Sequence, residues 1–137
     1  MSLYLCLFIS GAEADGIDAG SYGDFNRLRH YISRELENGR PGSLFPNLIL
    51  HSDCEGEWSP GDCAALRYEL ARIIEAMRER PAEDFPQGWQ VALAGTLGLR
   101  PRNALESFID VDGEPILLRL LGLVETALSA GEPILFQ

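Results

Sequence analysis

Leu3-Tyr4-Leu5-Cys6-Leu7-Phe8-Ile9 carries apolar side chains at every position. Successive side chains of an extended strand point to opposite sides, so Leu3, Leu5, Leu7 and Ile9 share one face and Tyr4, Cys6 and Phe8 the other. A strand that is apolar on both faces belongs near the centre of a sheet that other elements cover. The chain around it is therefore expected to supply neighbouring strands and helices.

Immediately downstream, Gly11 to Gly20 sets Glu13, Asp15 and Asp18 among small residues and reads as an acidic loop. Ser21 with Asp24 three residues on is a capping-box variant that opens a helix. Phe25, Leu28, Ile32 and Leu36 fall on one stripe of it, Asn38-Gly39 ends it, and Pro41 blocks its continuation. A second strand is expected at Asn47 to His51. Ser59 then suits an N-cap, Pro60 the first helical position and Asp62 the positive end of the helix dipole. Cys63, Leu66, Leu70, Ile73, Ile74 and Met77 give that helix its apolar face up to Arg80-Pro81, with Arg67, Glu69, Arg72, Glu75 and Glu79 on its wetter side.

From Ala82 to Asn103 the pattern weakens. Trp89 to Leu99 alternates partly, but Ala92, Ala94, Gly95 and Gly98 fit neither period, and a helix suits it slightly better than a strand. Leu105 to Val111 reads as a strand. Asp112-Gly113-Glu114-Pro115 reads as a turn, with Asp112 as N-cap, into a helix from Pro115 to Ala130. That helix is apolar nearly all round, which means deep burial or a face shared with a second copy, so a homodimer stays open. Pro133 to Gln137 forms a last strand. The expected class is α+β: a single domain over residues 1–137, with a mixed sheet of about four strands packed with three main helices in the order β-α-β-α-(α)-β-α-β.

The composition fits one globular domain: 137 residues, 46% hydrophobic and 23% charged. Its balance is acidic, 21 Asp and Glu against 11 basic residues for a net charge of −10. Nucleic acid is an unsuitable partner for such a body, because phosphates are bound by exchanging counterions for Lys and Arg. A basic protein would be drawn to it, and solubility alone is the plainer explanation. All 11 basic residues are Arg. The missing lysine excludes a Walker-type phosphate lysine, a Schiff base and a lysine general base. The apolar start has no basic residue ahead of it, and no apolar run reaches the roughly 18 residues of a membrane span, so a cytoplasmic protein without membrane contact is expected. Three cysteines cannot all pair within the chain. Cys6 and Cys63 read as small buried hydrophobes.

The densest polar cluster is His51, Asp53, Cys54, Glu55, Glu57 and Trp58. A metal site would draw on His51, Asp53 and Cys54 with Cys63 or Glu57, but no paired Cys or His spacing supports it, and neither metal nor cofactor is expected. Cys54 with His51 or His30 would be the one nucleophile pair. Asp53 and Glu55 flank that thiol with negative charge, however, the opposite of activating surroundings, and no catalytic residue is expected. The plain reading is a solvated turn and helix cap with Trp58 packed over the helix start. The functional one presents acids and an indole to a protein partner. Glu106, Asp110, Asp112 and Glu114 form a second acidic group, of which Glu106 and Asp110 would extend such a surface. The expected partner contacts are Asp53, Glu55, Glu57, Trp58, Glu106 and Asp110.

Five stretches resemble a family of bacterial polymorphic-toxin immunity proteins, immunity protein 70. They are Leu3 to Cys6, Gly20 to Phe25, Phe45 to Ser59, Glu106 to Pro115 and Pro133 to Phe136, and the His51-Ser52-Asp53-Cys54-Glu55-Gly56-Glu57-Trp58-Ser59 run is the most specific. Ala82 to Asn103 matches nothing in the pattern, as a variable segment would. The resemblance implies a protein that binds and blocks a cognate toxin, with a basic nuclease among the toxins that such a charge would suit. It carries no catalytic set. The alternatives are a small-molecule-binding or regulatory accessory domain, and a small hydrolase-like enzyme using Cys54 and His51.

Overall fold

In the computed structural model, which describes residues 2–137, β1 (Ser2–Ile9) has a partner along each edge. β2 (Ala12–Ser21) and β4 (Ile134–Phe136) flank it, and β3 (Glu57–Trp58) adds to β4, giving a four-stranded α+β sheet in the order β2-β1-β4-β3. Every ladder is antiparallel rather than mixed. The helices are α1 (Tyr22–Leu36), α2 (Pro46–Ile49), α3 (Pro60–Arg78), α4 (Trp89–Leu97) and α5 (Ile116–Ala130). Leu3, Leu5 and Leu7 enter one core with Phe25 and Ile32 of α1, Leu70 and Ile73 of α3, and Leu120 and Val124 of α5. Cys6 is buried outside that cluster, between half-buried Tyr4 and Phe8. The leucine face of β1 is thus covered from Leu3 to Leu7 and open at Ile9, while the other face is closed only at Cys6.

Three segments depart from expectation. Gly11 to Gly20 is mostly strand β2, not a loop: Ser10 and Gly11 both take positive φ (53° and 81°), the tight turn that folds β2 back on β1. Ile17 and Ala19 point inward from it, and pairing with β1 overrides the poor strand propensity of its Asp and Gly residues. Asn47 to His51 is not a strand. Pro46 opens α2 there, and Glu69 of α3 accepts the Asn47 and Leu48 N–H groups at 3.2 and 3.0 Å. These are donors that a helix start leaves unpaired. Leu105 to Val111 is a 3₁₀ turn (Leu105–Ser107) followed by a single bridge between Ile109 and Pro115. Ser107 there accepts the Glu83 N–H and donates to the Asn103 carbonyl. Asp112 is not the N-cap of α5 either; Pro115 takes that position, and the Asp112 N–H donates to Asp110 within the turn.

The expected Ser21–Asp24 capping box forms on α1, and Ser59, expected as the N-cap of α3, forms a second box with Asp62. The uncertain Trp89 segment is helical and ends on Gly98 in the left-handed conformation. β2 lies at the border of the sheet, yet four of its backbone groups have partners away from β1. The Gly16 and Gly20 N–H groups donate to Asp15 and Asp18, while the Gly16 and Asp18 carbonyls accept from Arg119 and the Val111 N–H.

Candidate protein-binding surface

The loop from Leu50 to Glu57 leaves α2 and enters β3, and Arg29 of α1 holds its root. The guanidinium is 8% exposed and donates to the carbonyls of Leu48 (3.3 Å), Ile49 (3.3 Å) and His51 (2.6 Å). Those carbonyls close the C-terminal end of α2, where a cation is favoured. Its other edge donates to Asn26 Oδ1, and Asn26 Nδ2 donates in turn to Asp53 at 2.7 Å. That bond, helped by the Arg29 charge, lowers the Asp53 carboxyl below the usual aspartate range. His51 stacks on Phe136 with centroids 4.1 Å apart, and its nitrogens meet the Ser52 and Glu57 carbonyl oxygens, both at 2.9 Å. The loop is therefore pinned at both ends, and Cys54, Glu55 and Glu57 project from it into solvent.

The six expected contact residues do not form one patch. Glu55 and Glu57 are exposed and Asp53 is half-buried. Trp58 is 1% exposed, its Nε1 donating to the Asn47 carbonyl at 2.9 Å and its ring set edge-on against Phe136. It supports the loop from beneath and offers no area to a partner. Asp110 is also 1% exposed. Burial pushes its pKa up, against the pull of the Glu114 and Asp112 N–H groups and of Arg119, 3.5 Å away. Glu106 is half-buried and neutralised by Arg102, which reaches it at 2.8 Å and lowers its pKa.

The thiol chemistry is equally local. Cys54 Sγ sits 3.6 Å from the Ser52 hydroxyl, and neither His51 nitrogen is engaged with it. His30 is exposed on α1. Cys6 and Cys63 are buried, and desolvation pushes the Cys63 thiol up to about 11. Among the described residues no three His, Cys, Asp or Glu side chains converge as metal ligands. No described helix is long and apolar enough to cross a membrane.

Sequence reasoning missed the other half of this end of the molecule. Asp24, besides capping α1, accepts Trp89 Nε1 at 3.0 Å and Gln90 Nε2 at 2.7 Å, which docks α4 beside the first turn of α1. Those bonds together outweigh desolvation and hold its carboxyl below the usual range. Gly20 sits at the join with φ +85°, and a Cβ there would meet Asp24 Oδ2 at 2.7 Å and Trp89 at 2.9 Å. Between these elements runs an open groove of about 1210 Å³. The available signal was two polar-tipped residues, Trp89 and Gln90, opening an otherwise featureless segment.

Charge is distributed unevenly over this frame. Residues 2–26 contain Glu13, Asp15, Asp18 and Asp24 and no basic residue. Arg29 is buried, and Arg119 is tied to Asp110, Asp112 and the Gly16 carbonyl. The strand ends at Ser2, Ser21, Glu57 and Gln137 come together through the β-ladders, since Ser2 faces Ser21, Tyr4 and Gln137 exchange backbone bonds, and Phe136 N–H donates to the Gly56 carbonyl. The acidic loop and the α1 turn with its groove thus lie at one end of the sheet. The profile of the family described as Immunity protein 70 matches residues 3–136. The chain belongs to that family. It is thereby an immunity protein of bacterial polymorphic toxin systems and not an enzyme, with a toxin as its partner. No curated protein and no solved structure gives a significant match to this immunity protein.

Proposed function

We propose that this immunity protein neutralises its cognate toxin by covering it with an acidic face built around Asp53, Glu55 and Glu57. The observation that carries the reading is the pinned loop. Arg29, Asn26 and the His51–Phe136 stack fix its backbone, while Glu55 and Glu57 have no ion-pair partner among the described residues. Fixed, unneutralised carboxylates on a body of net charge −10 steer a basic protein surface toward contact and lose little entropy on docking. A basic toxin, such as a nuclease whose own surface binds phosphates, has the complementary chemistry. Trp58, bonded to the Asn47 carbonyl and packed on Phe136, supports the face from below, while Asp110 is buried and Glu106 is paired to Arg102, so neither adds free charge to it.

The test is co-expression with the toxin domain encoded beside this chain, followed by measured association of the purified pair. Growth rescue and a stable complex are expected. In the Glu55→Arg/Glu57→Arg double variant the association rate should fall by roughly tenfold at low salt, with a flatter salt dependence. Its stability should stay within about 1 kcal/mol of the parent, as exposed sites usually do. A wild-type protein that neither binds nor rescues ends the proposal.

A further inference from the structure

We propose that the groove between the first turn of α1 and α4 is the second half of the toxin-binding face, and that it receives a toxin segment carrying a Lys or Arg beside aliphatic side chains. The inference rests on the immunity reading above and adds to it where the toxin sits and what it presents.

At about 1210 Å³ and open along its length, the groove exceeds the roughly 300–1,000 Å³ of enclosed small-molecule sites and suits a piece of another protein. Its two walls differ in chemistry. The α4 wall, through Ala92, Leu93 and Thr96, is uncharged, and no charged residue occurs from Gln87 to Leu99. The opposite wall carries Asp18 and Asp24, and none of the groove's lining residues is basic. An aliphatic segment with one cation matches both walls at once, and a neutral or anionic one matches only the first.

α4 is also an under-buried helix. It buries only Gln90 and Ala94 and leaves Val91 42% and Leu97 51% exposed, beside Val111 at 39%. Scattered exposed apolar residues need no explanation, but Val91 and Leu97 belong to the helix that forms one groove wall, and Val111 lines the groove itself. The groove and the acidic loop flank the first turn of α1: Asp24 lines the groove, and Asn26, two residues on, holds Asp53. Ser2 and Gln137, whose strands end there, line the groove as well. Because Gly16, Asp18 and Gly20 already have partners for the backbone groups described above, the toxin docks through its side chains and not by adding a strand to β2.

The experiment uses the full chain and the catalytically inactivated toxin domain encoded beside it, with affinity measured by calorimetry. Ala92→Arg and Thr96→Arg alter exposed helix positions, and circular dichroism is the check that both variants fold. Ala92→Arg should weaken binding by about 100-fold and Ala92→Glu by only about tenfold, since like charge adds repulsion to the steric clash. Tyr68→Ala, on the outer face of α3 at 76% exposure, should bind as the parent does. Hydrogen exchange on the complex should protect residues 18–24 and 87–97. If the parent binds and both arginine variants match it, the groove proposal is wrong while the immunity reading stands. Equal losses from Arg and Glu at position 92 overturn the cationic assignment. If the parent itself fails to bind, both readings fall together.

Discussion

Arg29→Met tests whether the loop from Leu50 to Glu57 is held from within the fold. Methionine keeps the apolar stem, so packing against Phe25, whose ring centre lies 4.8 Å from the guanidinium carbon, is largely preserved. What disappears is the donor set: three carbonyls at 3.3, 3.3 and 2.6 Å and the Asn26 oxygen at 3.2 Å. The Leu48 carbonyl has no ready route to water, and leaving such a group unpaired costs about 1–3 kcal/mol. The Ile49 and His51 carbonyls are half-buried and can be rehydrated, which limits each to about 1 kcal/mol. Relief of the guanidinium's own desolvation offsets part of this, leaving a net loss of about 2–4 kcal/mol. With an unfolding entropy of about 2.1 cal/mol/K per residue, a 3 kcal/mol loss over 137 residues lowers Tm by about 10 °C. Urea titration of parent and variant, with m-values compared, measures the change. A loss below about 1 kcal/mol would refute the anchoring role. So would an Asn26→Ala variant that reproduces the whole effect, because the carbonyl bonds would then carry none of it.

Two further outcomes are expected. Glu37 is 2% exposed and accepts from the Leu44, Phe45 and Gly42 N–H groups and the Ser33 hydroxyl, so Glu37→Gln should cost about 2–3 kcal/mol near neutral pH. Burial raises its pKa, but those bonds outweigh burial and leave it below the ordinary glutamate range. Its stabilisation is therefore complete above that range and is lost as pH falls through the lowered value, so the gap between parent and variant should close in acid denaturation profiles. A gap that widens in acid contradicts the assignment. Trp58→Phe should lower stability by about 2 kcal/mol through lost volume and the lost bond to Asn47, yet change toxin affinity less than threefold, because the indole is covered. A large affinity loss with unchanged stability would return Trp58 to the binding face.

The long, strongly periodic elements were legible in the sequence. β1 follows from an unbroken apolar run, α1 and α3 from apolar stripes opened by Ser-x-x-Asp, and α5 from an apolar run stopped by Gly131, since these signals are local. The errors fall where distant partners decide. β2 contains little that favours a strand, and only β1 alongside makes it one. Pro46 to Ile49 is helical because Glu69 and Arg29, remote in sequence, satisfy its two ends. The candidate site divided for the same reason. Local charge density correctly marked Glu55 and Glu57 as exposed, but it is blind to burial, which removed Trp58 and Asp110, and to pairing, which engaged Glu106. The groove had no local signature, because α4 belongs to it only through a carboxylate contributed 65 residues earlier in the chain by Asp24.

The proposed mode of action, capture of a toxin by a bound protein, consumes the protein as it works, so a supply of it would be needed in quantity. Reserves of that kind are hazardous for a protein with an open sheet border, since strands left unsatisfied recruit one another. By turning Asp15 and Asp18 back onto its own main chain and bringing Arg119 across from α5, this molecule closes part of that border to a second strand. The same stretch that reads as an acidic loop thus works against edge-to-edge pairing between copies of the chain.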